Sequence, residues 1–408
     1  PSGVQGMTGE LPRHRKVLVT LLIFFAGASS EASGQPPVAD RKSVADPLIR
    51  VRFRAVSERE ETVDCRLLVR AVDGGLLVED RSSRLWTVTP DRLIEETPLA
   101  GKVFAPFSTE ELGQHLIGEL RNAGNNSEFL IHSTEHYVLC TDTSRAYAEW
   151  CGGLLERLHK AFRVYWSAKQ MDIHEPEFLL PVIILKTKTE FSQLAAADRT
   201  PASANGHGYF LITANRIVLY DLTFTESQAP AKTVSEVFRR VQKVPASMAA
   251  VVHEATHQIA FNTGLHTRYA DNPMWMTEGM AMYFETPDLK NRRGWQTIGR
   301  LNRSRRSQFL EYVAKRRQAD SLESLVGSDA RFRDPQTIPD AYAEAWALSY
   351  FLMRTRPRPY SAWLSRIAAQ PPLKFGTTQD RLKLFRSEFG EDLNALDQKM
   401  LSWIRRQK

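Results

Sequence analysis

Cysteine is scarce in this chain, with Cys65, Cys140 and Cys151 the only three in 408 residues. That count excludes a small scaffold built on disulfides. Long apolar runs are also missing. No uninterrupted stretch reaches the ~18–20 residues that a membrane-crossing helix needs, so no integral span is expected beyond the N-terminal leader. There is no internal repeat and no low-complexity tract. Neither sign of charge dominates: 54 lysines and arginines against 47 aspartates and glutamates leave +7. So mild an excess, spread along the chain, gives no reason to expect a nucleic-acid partner. What is present is ordinary globular composition, 42% apolar and 25% charged. The length suggests two or three domains, and an enzyme is the leading class.

The N-terminus reads as an address. Arg13-His14-Arg15-Lys16 precede an apolar run from Val17 to Ala28, followed by small and polar residues. A basic segment, a short apolar core and a small-x-small site describe a secretory signal peptide. Ala26-Gly27-Ala28 and Ala32-Ser33-Gly34 both fit the cleavage site. A signal peptide is therefore expected over residues 1–34, and a proline-rich linker over 35–47. This predicts a secreted, periplasmic or cell-envelope protein; an uncleaved anchor is the alternative. Such compartments permit disulfides, and Cys140 and Cys151 are near enough in sequence to pair. Buried free thiols are an equal alternative.

From Leu48 the pattern has period two: Ile49, Val51 and Phe53 alternate with Arg50, Arg52 and Arg54. Asp73-Gly74-Gly75 marks a hairpin. Residues 48–100 are expected to form a small all-β module, with its three arginines on a solvated face. Ser108 and Glu111 form a capping box that opens a helix to about Asn122. A strand near 129–140, a helix from about 144 to 168, a strand at 179–186, a short helix around 190–197 and strand material at 209–221 follow. Beyond residue 234 every strong segment is helical. The fold class is α+β, with residues 101–408 expected as one domain: a sheet-containing lobe over about 101–262 and a helical lobe over about 263–408.

The chemistry centres on His253-Glu254-Ala255-Thr256-His257. It lies in a run of good helix formers without glycine or proline. Helical positions i and i+4 are about 40° apart and one turn along the axis, so both imidazoles point the same way and can share a metal ion. Glu254 is rotated off that line, where it can act as a base without being a ligand. This is the spacing of the zinc hydrolases. The apolar neighbours Val251, Val252, Ile259, Ala260 and Phe261 argue against a solvated helix, because buried histidines need partners or a metal.

Catalytic zinc takes three protein ligands and keeps an open position. The metzincin pattern requires glycine at 260 and histidine at 263, where this chain has Ala260 and Thr263. His266 and Asp271 are conceivable third ligands from a loop. Glu278 is the stronger candidate, a carboxylate among apolar residues on a helix expected to begin at Asp271-Asn272-Pro273.

Three segments, HSTEHYVLCTD, HEATHQIAFNTGLHTRYADNPMWMTEGMAMYFE and AYAEAWALSYFL, resemble the bacterial family catalogued as domain of unknown function 1570, itself similar to the peptidase-MA gluzincins. The resemblance spans about residues 129–365. It implies a zincin-like metallopeptidase domain (a mixed sheet, an active-site helix and a helical C-terminal lobe) with one Zn2+ held by His253, His257 and Glu278, and Glu254 as catalytic base. The chain departs from thermolysin-like relatives, which place an aspartate four residues after the ligand glutamate. Here that residue is Met282, and Glu285 is one candidate to take over the orienting role.

The oxyanion donor is expected from Tyr342, on a later helix with Trp346 and Tyr350, or else from Tyr269 or His266. Strand material at 208–220 is read either as an edge that pairs with an extended peptide or as an ordinary strand. The arginines at 300–306 and 354–358 are expected on solvated helical surfaces. The resulting expectation is a secreted zinc peptidase acting on a peptide or protein substrate. The alternative is an inactive zincin-fold scaffold of the cell envelope. Oligomeric state is left open.

Overall fold

Alternation of apolar and polar side chains over residues 47–103 builds an antiparallel sheet. Its strands are β1 (Pro47–Arg54), β2 (Glu60–Arg70), β3 (Leu76–Asp80), β4 (Leu85–Val88) and β5 (Leu93–Val103), in the order β4-β3-β2-β1-β5. The computed structural model describes residues 46–200, 206–286, 288–289 and 295–408. The signal peptide expected over 1–34, and all but the last two residues of the 35–47 linker, lie outside these. Ile49, Val51 and Phe53 face a core with Cys65, Leu76, Val78 and Val88. On the opposite face Arg50 grips Asp64 (2.6 and 2.9 Å) and Arg52 reaches Glu95 (3.3 Å). That face is solvated and neutralised within the sheet. At the β2–β3 turn Gly74 takes φ +91°, and Asp73 accepts a hydrogen bond from the Gly75 N–H.

Helix α1 (Thr109–Asn122) opens with the capping box: the Glu111 N–H donates to Ser108 Oγ and the Ser108 N–H to the Glu111 carboxylate. A second sheet follows, interleaved with helices: β6 (Leu130–Ser133), β7 (Tyr137–Thr141), α2 (Arg145–Ser167), β8 (Leu180–Leu185), α3 (Lys188–Ala197), β9 (Gly208–Leu211) and β10 (Arg216–Tyr220). Its order is β6-β7-β8-β10-β9. The central strands β7, β8 and β10 run parallel, while β6 and β9 are antiparallel edges. The single strand expected at 129–140 is thus a hairpin. The Thr134 N–H closes the turn onto the Tyr137 carbonyl, and Glu156 accepts from Thr134 Oγ and the His136 N–H.

Both faces of this sheet are covered, so β7 and β8 are buried throughout and β10 is buried but for its last residue. On β7, Tyr137 and Leu139 pack into the larger core with α2, while Val138 and Cys140 face α1 and α3. This disposes of the Cys140–Cys151 pairing. Cys151 faces the larger core from α2, on the other side of the sheet, and all three cysteines are free and buried.

The chain continues as α4 (Val234–Val241), α5 (Pro245–Asn262), α6 (Met274–Phe284), α7 (Arg303–Lys315), α8 (Ser321–Gly327), α9 (Ile338–Thr355), α10 (Pro357–Ala368), α11 (Thr378–Phe389) and α12 (Leu393–Arg406). The architecture is mixed α+β, with an N-terminal β module and a helical C-terminal region. Among the described residues no helix is long and apolar enough to cross a membrane. The β module is joined to the rest by specific polar contacts. The Leu85 N–H donates to the Thr213 carbonyl at 2.7 Å. Arg268, in the α5–α6 connection, pairs with Glu79 and donates to the Ser83 carbonyl at 2.6 Å.

Candidate metal centre

Helix α5 begins with Pro245 at its first turn, where the missing N–H costs nothing, and has no glycine or proline after that. It is buried on nearly all sides, as expected for a helix apolar all round. Its depth against the sheet is set by amides. Gln258 donates to the carbonyls of Pro181 (3.0 Å) and Asn215 (2.8 Å), while Asn215 and Asn262 exchange hydrogen bonds at 2.8 and 2.7 Å. These buried amides fix the rotation of α5, and therefore the direction of His253 and His257.

The two imidazoles bring their Nε2 atoms to 3.2 Å from one another. Glu278 reaches them from α6, its Oε2 3.1 Å from His253 Nε2 and its Oε1 3.6 Å from His257 Nε2. All three residues are buried. A close backbone approach puts α6 there. A Cβ on Gly279 would fall 2.1 Å from Ser349 Oγ and 2.5 Å from the Ala345 carbonyl, so only glycine lets α6 press against α9. The start of α6 differs from expectation. Asp271 does not cap it; the Met274 N–H donates to Asp329 Oδ1 at 2.9 Å, and Asp271 is bound by Arg381 and the Gly376 N–H. This pairing also occupies Asp271 away from the histidines.

Behind the cluster, His253 Nδ1 stands 3.4 Å from Glu285 Oε2. Arg305 from α7 grips Glu285 with two hydrogen bonds of 3.1 Å. Arg305 is therefore not a solvated arginine, and neighbouring Arg306 donates to the carbonyls of Ile404 and Arg405 at the end of α12. Glu254 points to the other side. It is buried, and its Oε2 accepts the backbone N–H of Phe210 on the edge strand β9 at 2.9 Å. Among the candidate oxyanion donors, His266 is buried, with Nδ1 on the Leu265 carbonyl and Nε2 without a hydrogen-bond partner. Tyr269 has φ +61° and lies against Thr87 of the β module. Tyr342 packs edge-on against Phe332.

The charges follow from this geometry. Burial opposes a charged His253, yet Glu278 and Glu285 raise it to about 10. Burial likewise opposes a charged Glu278, but His257 and His253 hold it low. Burial lifts the Glu254 carboxyl above its ordinary range, against the lowering pull of both histidines and the Phe210 N–H. The anionic pocket thus requires a cation at its centre, and a proton on His253 or a metal ion meets that need.

The donor set fits a metal. Around a tetrahedral ion with bonds of ~2.0–2.1 Å, ligand atoms stand about 3.3 Å apart; here the two Nε2 atoms are 3.2 Å apart, one Glu278 oxygen is 3.1 Å from His253 Nε2, and its other oxygen is 3.6 Å from His257 Nε2. Glu278 Oε1 is buried without a hydrogen-bond partner. Two imidazoles and a carboxylate with one position left open are a zinc ligand set. His253, His257 and Glu278 are one of two groups among the described residues whose donor atoms converge closely enough to hold an ion.

Sequence reasoning had no signal for the Phe210 N–H, because it belongs to the backbone, nor for the pairing of Arg305 with Glu285. No curated protein matches the chain. Residues 247–374, which carry His253, Glu254, His257 and Glu278, match the model of a family described as protein of unknown function (DUF1570).

Proposed function

We propose that the chain is a zinc-dependent peptidase of the zincin type, exported by its N-terminal segment and acting on peptide or protein substrates. The observation that carries this reading is the convergence of His253, His257 and Glu278 while Glu254, beside them, faces the edge strand β9. A zinc ion, if bound there, would be held by those three residues and would supply Lewis acidity. Everything else falls to the protein.

Glu254 takes the proton of the attacking water and returns it to the leaving amine. Its buried site favours this, since a carboxylate lifted above its ordinary range is a stronger base. The Phe210 N–H holds one carboxylate oxygen and leaves the other free to act. Phe210 turns its N–H away from the β10 ladder, and by the two-residue period of a strand Gly208 faces the same way. An extended peptide pairing with this edge would lie across Glu254. Glu285, fixed by Arg305, holds the His253 ring in place through Nδ1.

The test is metal content by elemental mass spectrometry on the mature protein, His257→Ala and Glu278→Ala, joined to a peptide-library assay of the wild type and Glu254→Gln. About one zinc lost in both ligand variants, with cleavage abolished in a Glu254→Gln protein that keeps its zinc, is the expected result. Zinc retained by Glu278→Ala moves the third ligand elsewhere. Full zinc without cleavage of any peptide favours the scaffold alternative.

A further inference from the structure

A second group of donors lies outside the catalytic cluster, where the β6–β7 turn meets α2. His136 projects from the turn, Glu156 and His159 from one face of α2, and Glu175 from the connection to β8. The imidazoles of His136 and His159 face one another with ring centres 4.1 Å apart. Glu175 Oε2 stands 3.3 Å from His136 Nε2 and 3.9 Å from His159 Nε2.

Two features distinguish this from a chance surface cluster. The first is an orphan. His159 is only 2% exposed and its Nε2 has no hydrogen-bond partner. A buried ring nitrogen aimed at a carboxylate and a second imidazole, yet bonded to neither, is costly unless something joins them. The second is preorganisation. Glu156 Oε2 engages His136 Nδ1 at 2.8 Å, and its other oxygen is fixed by Thr134 Oγ (2.6 Å) and the His136 N–H (2.8 Å). That leaves His136 Nε2 for the centre of the cluster, in the carboxylate–histidine arrangement that orients metal-bound imidazoles. Arg163 pairs with the remaining oxygen of Glu175 and so orients that carboxylate too.

We propose that His136, His159 and Glu175 form a second site for a divalent transition-metal ion, with Glu156 positioning His136. Two imidazoles and a carboxylate suit zinc, nickel or copper(II) rather than calcium or magnesium. Because Glu175 is half exposed and its partners are not, the ion enters from solvent beside it. Bound there, it ties the β6–β7 hairpin, α2 and the segment leading to β8 into one unit. This site shares no residue with the catalytic cluster and does not depend on the peptidase reading.

The experiment is zinc chloride titration of the mature protein after chelator treatment, followed by elemental analysis of the retained metal. Wild type is compared with Glu175→Gln, which alters an exposed side chain, and His159→Gln, with circular dichroism confirming that each is folded. Each variant is expected to retain about one equivalent less zinc per chain than wild type. His257→Ala is expected to lose a different equivalent, so that His257→Ala/Glu175→Gln retains none. Zinc content unchanged by Glu175→Gln and His159→Gln in folded protein overturns the proposal, whatever happens at the catalytic cluster.

Discussion

The backbone N–H of Phe210 donates to Glu254 Oε2 at 2.9 Å, joining an edge strand to a helix 44 residues further along the chain. The bond fixes both the height of β9 above α5 and the rotamer of Glu254. Position, more than charge, is thus what this contact controls. Glu254→Asp keeps the charge but is one methylene too short to hold it. Zinc content should be unchanged, while steady-state turnover of a cleaved peptide falls about 100-fold, the usual scale for a misplacement near 1 Å.

Glu285, held by Arg305, stands 3.4 Å from His253 Nδ1 and would orient that ring towards a metal ion. Glu285→Gln leaves the ligands in place but weakens the orientation of the His253 ring, and Arg305→Ala frees Glu285 to turn away. Each should weaken zinc affinity about 10–100-fold in competition with a chromophoric chelator. Equal affinity in both variants would remove Glu285 from the centre.

Gly279 is the position where α6 and α9 touch. A methyl group there must displace the Ala345 carbonyl or move α6, and Glu278 is the preceding residue. Gly279→Ala is expected to lower stability by about 3 kcal/mol, the upper part of the range for overpacking, measured by urea unfolding. Zinc affinity should fall with it.

Glu119 links the β module to the second sheet by pairing with Arg84 and Arg216. Burial works against its charge, but the two arginines hold it down to about 2. A carboxylate lower in the folded state than its ordinary value near 4.5 stabilises above that value. The contribution disappears as pH falls from about 4.5 towards 2. It amounts to at most about 3 kcal/mol. Glu119→Gln should be less stable than wild type at pH 6 and should lose part of the steep acid dependence; parallel melting curves across that range would refute the pairing.

Burial pushes the thiols of Cys65, Cys140 and Cys151 up to about 12, so they are neutral and inert at ordinary pH. A thiol reagent should label none of them in native protein and all three after unfolding without reductant. A Cys140–Cys151 disulfide would leave a single reactive thiol.

What the sequence determined by itself is what depends on near neighbours. Four residues of helix turn His253 and His257 the same way, and three residues place Glu111 on Ser108, because those distances follow from helical geometry alone. Alternation does the same for Ile49, Val51 and Phe53. Tertiary structure decided whatever joins distant segments. Thr134 and Glu156 turn an expected strand into a hairpin. Arg381 and Asp329 replace the expected cap of α6, and Arg305 leaves solvent for Glu285. The sheet separates two cysteines that are near in sequence. Glu278 stood out in the sequence as a buried carboxylate needing a partner, but which groups it faces is set by the packing of α6 against α9 across Gly279. Local periodicity carries the direction of a side chain relative to its own element. It holds no information about which other element will pack against that face.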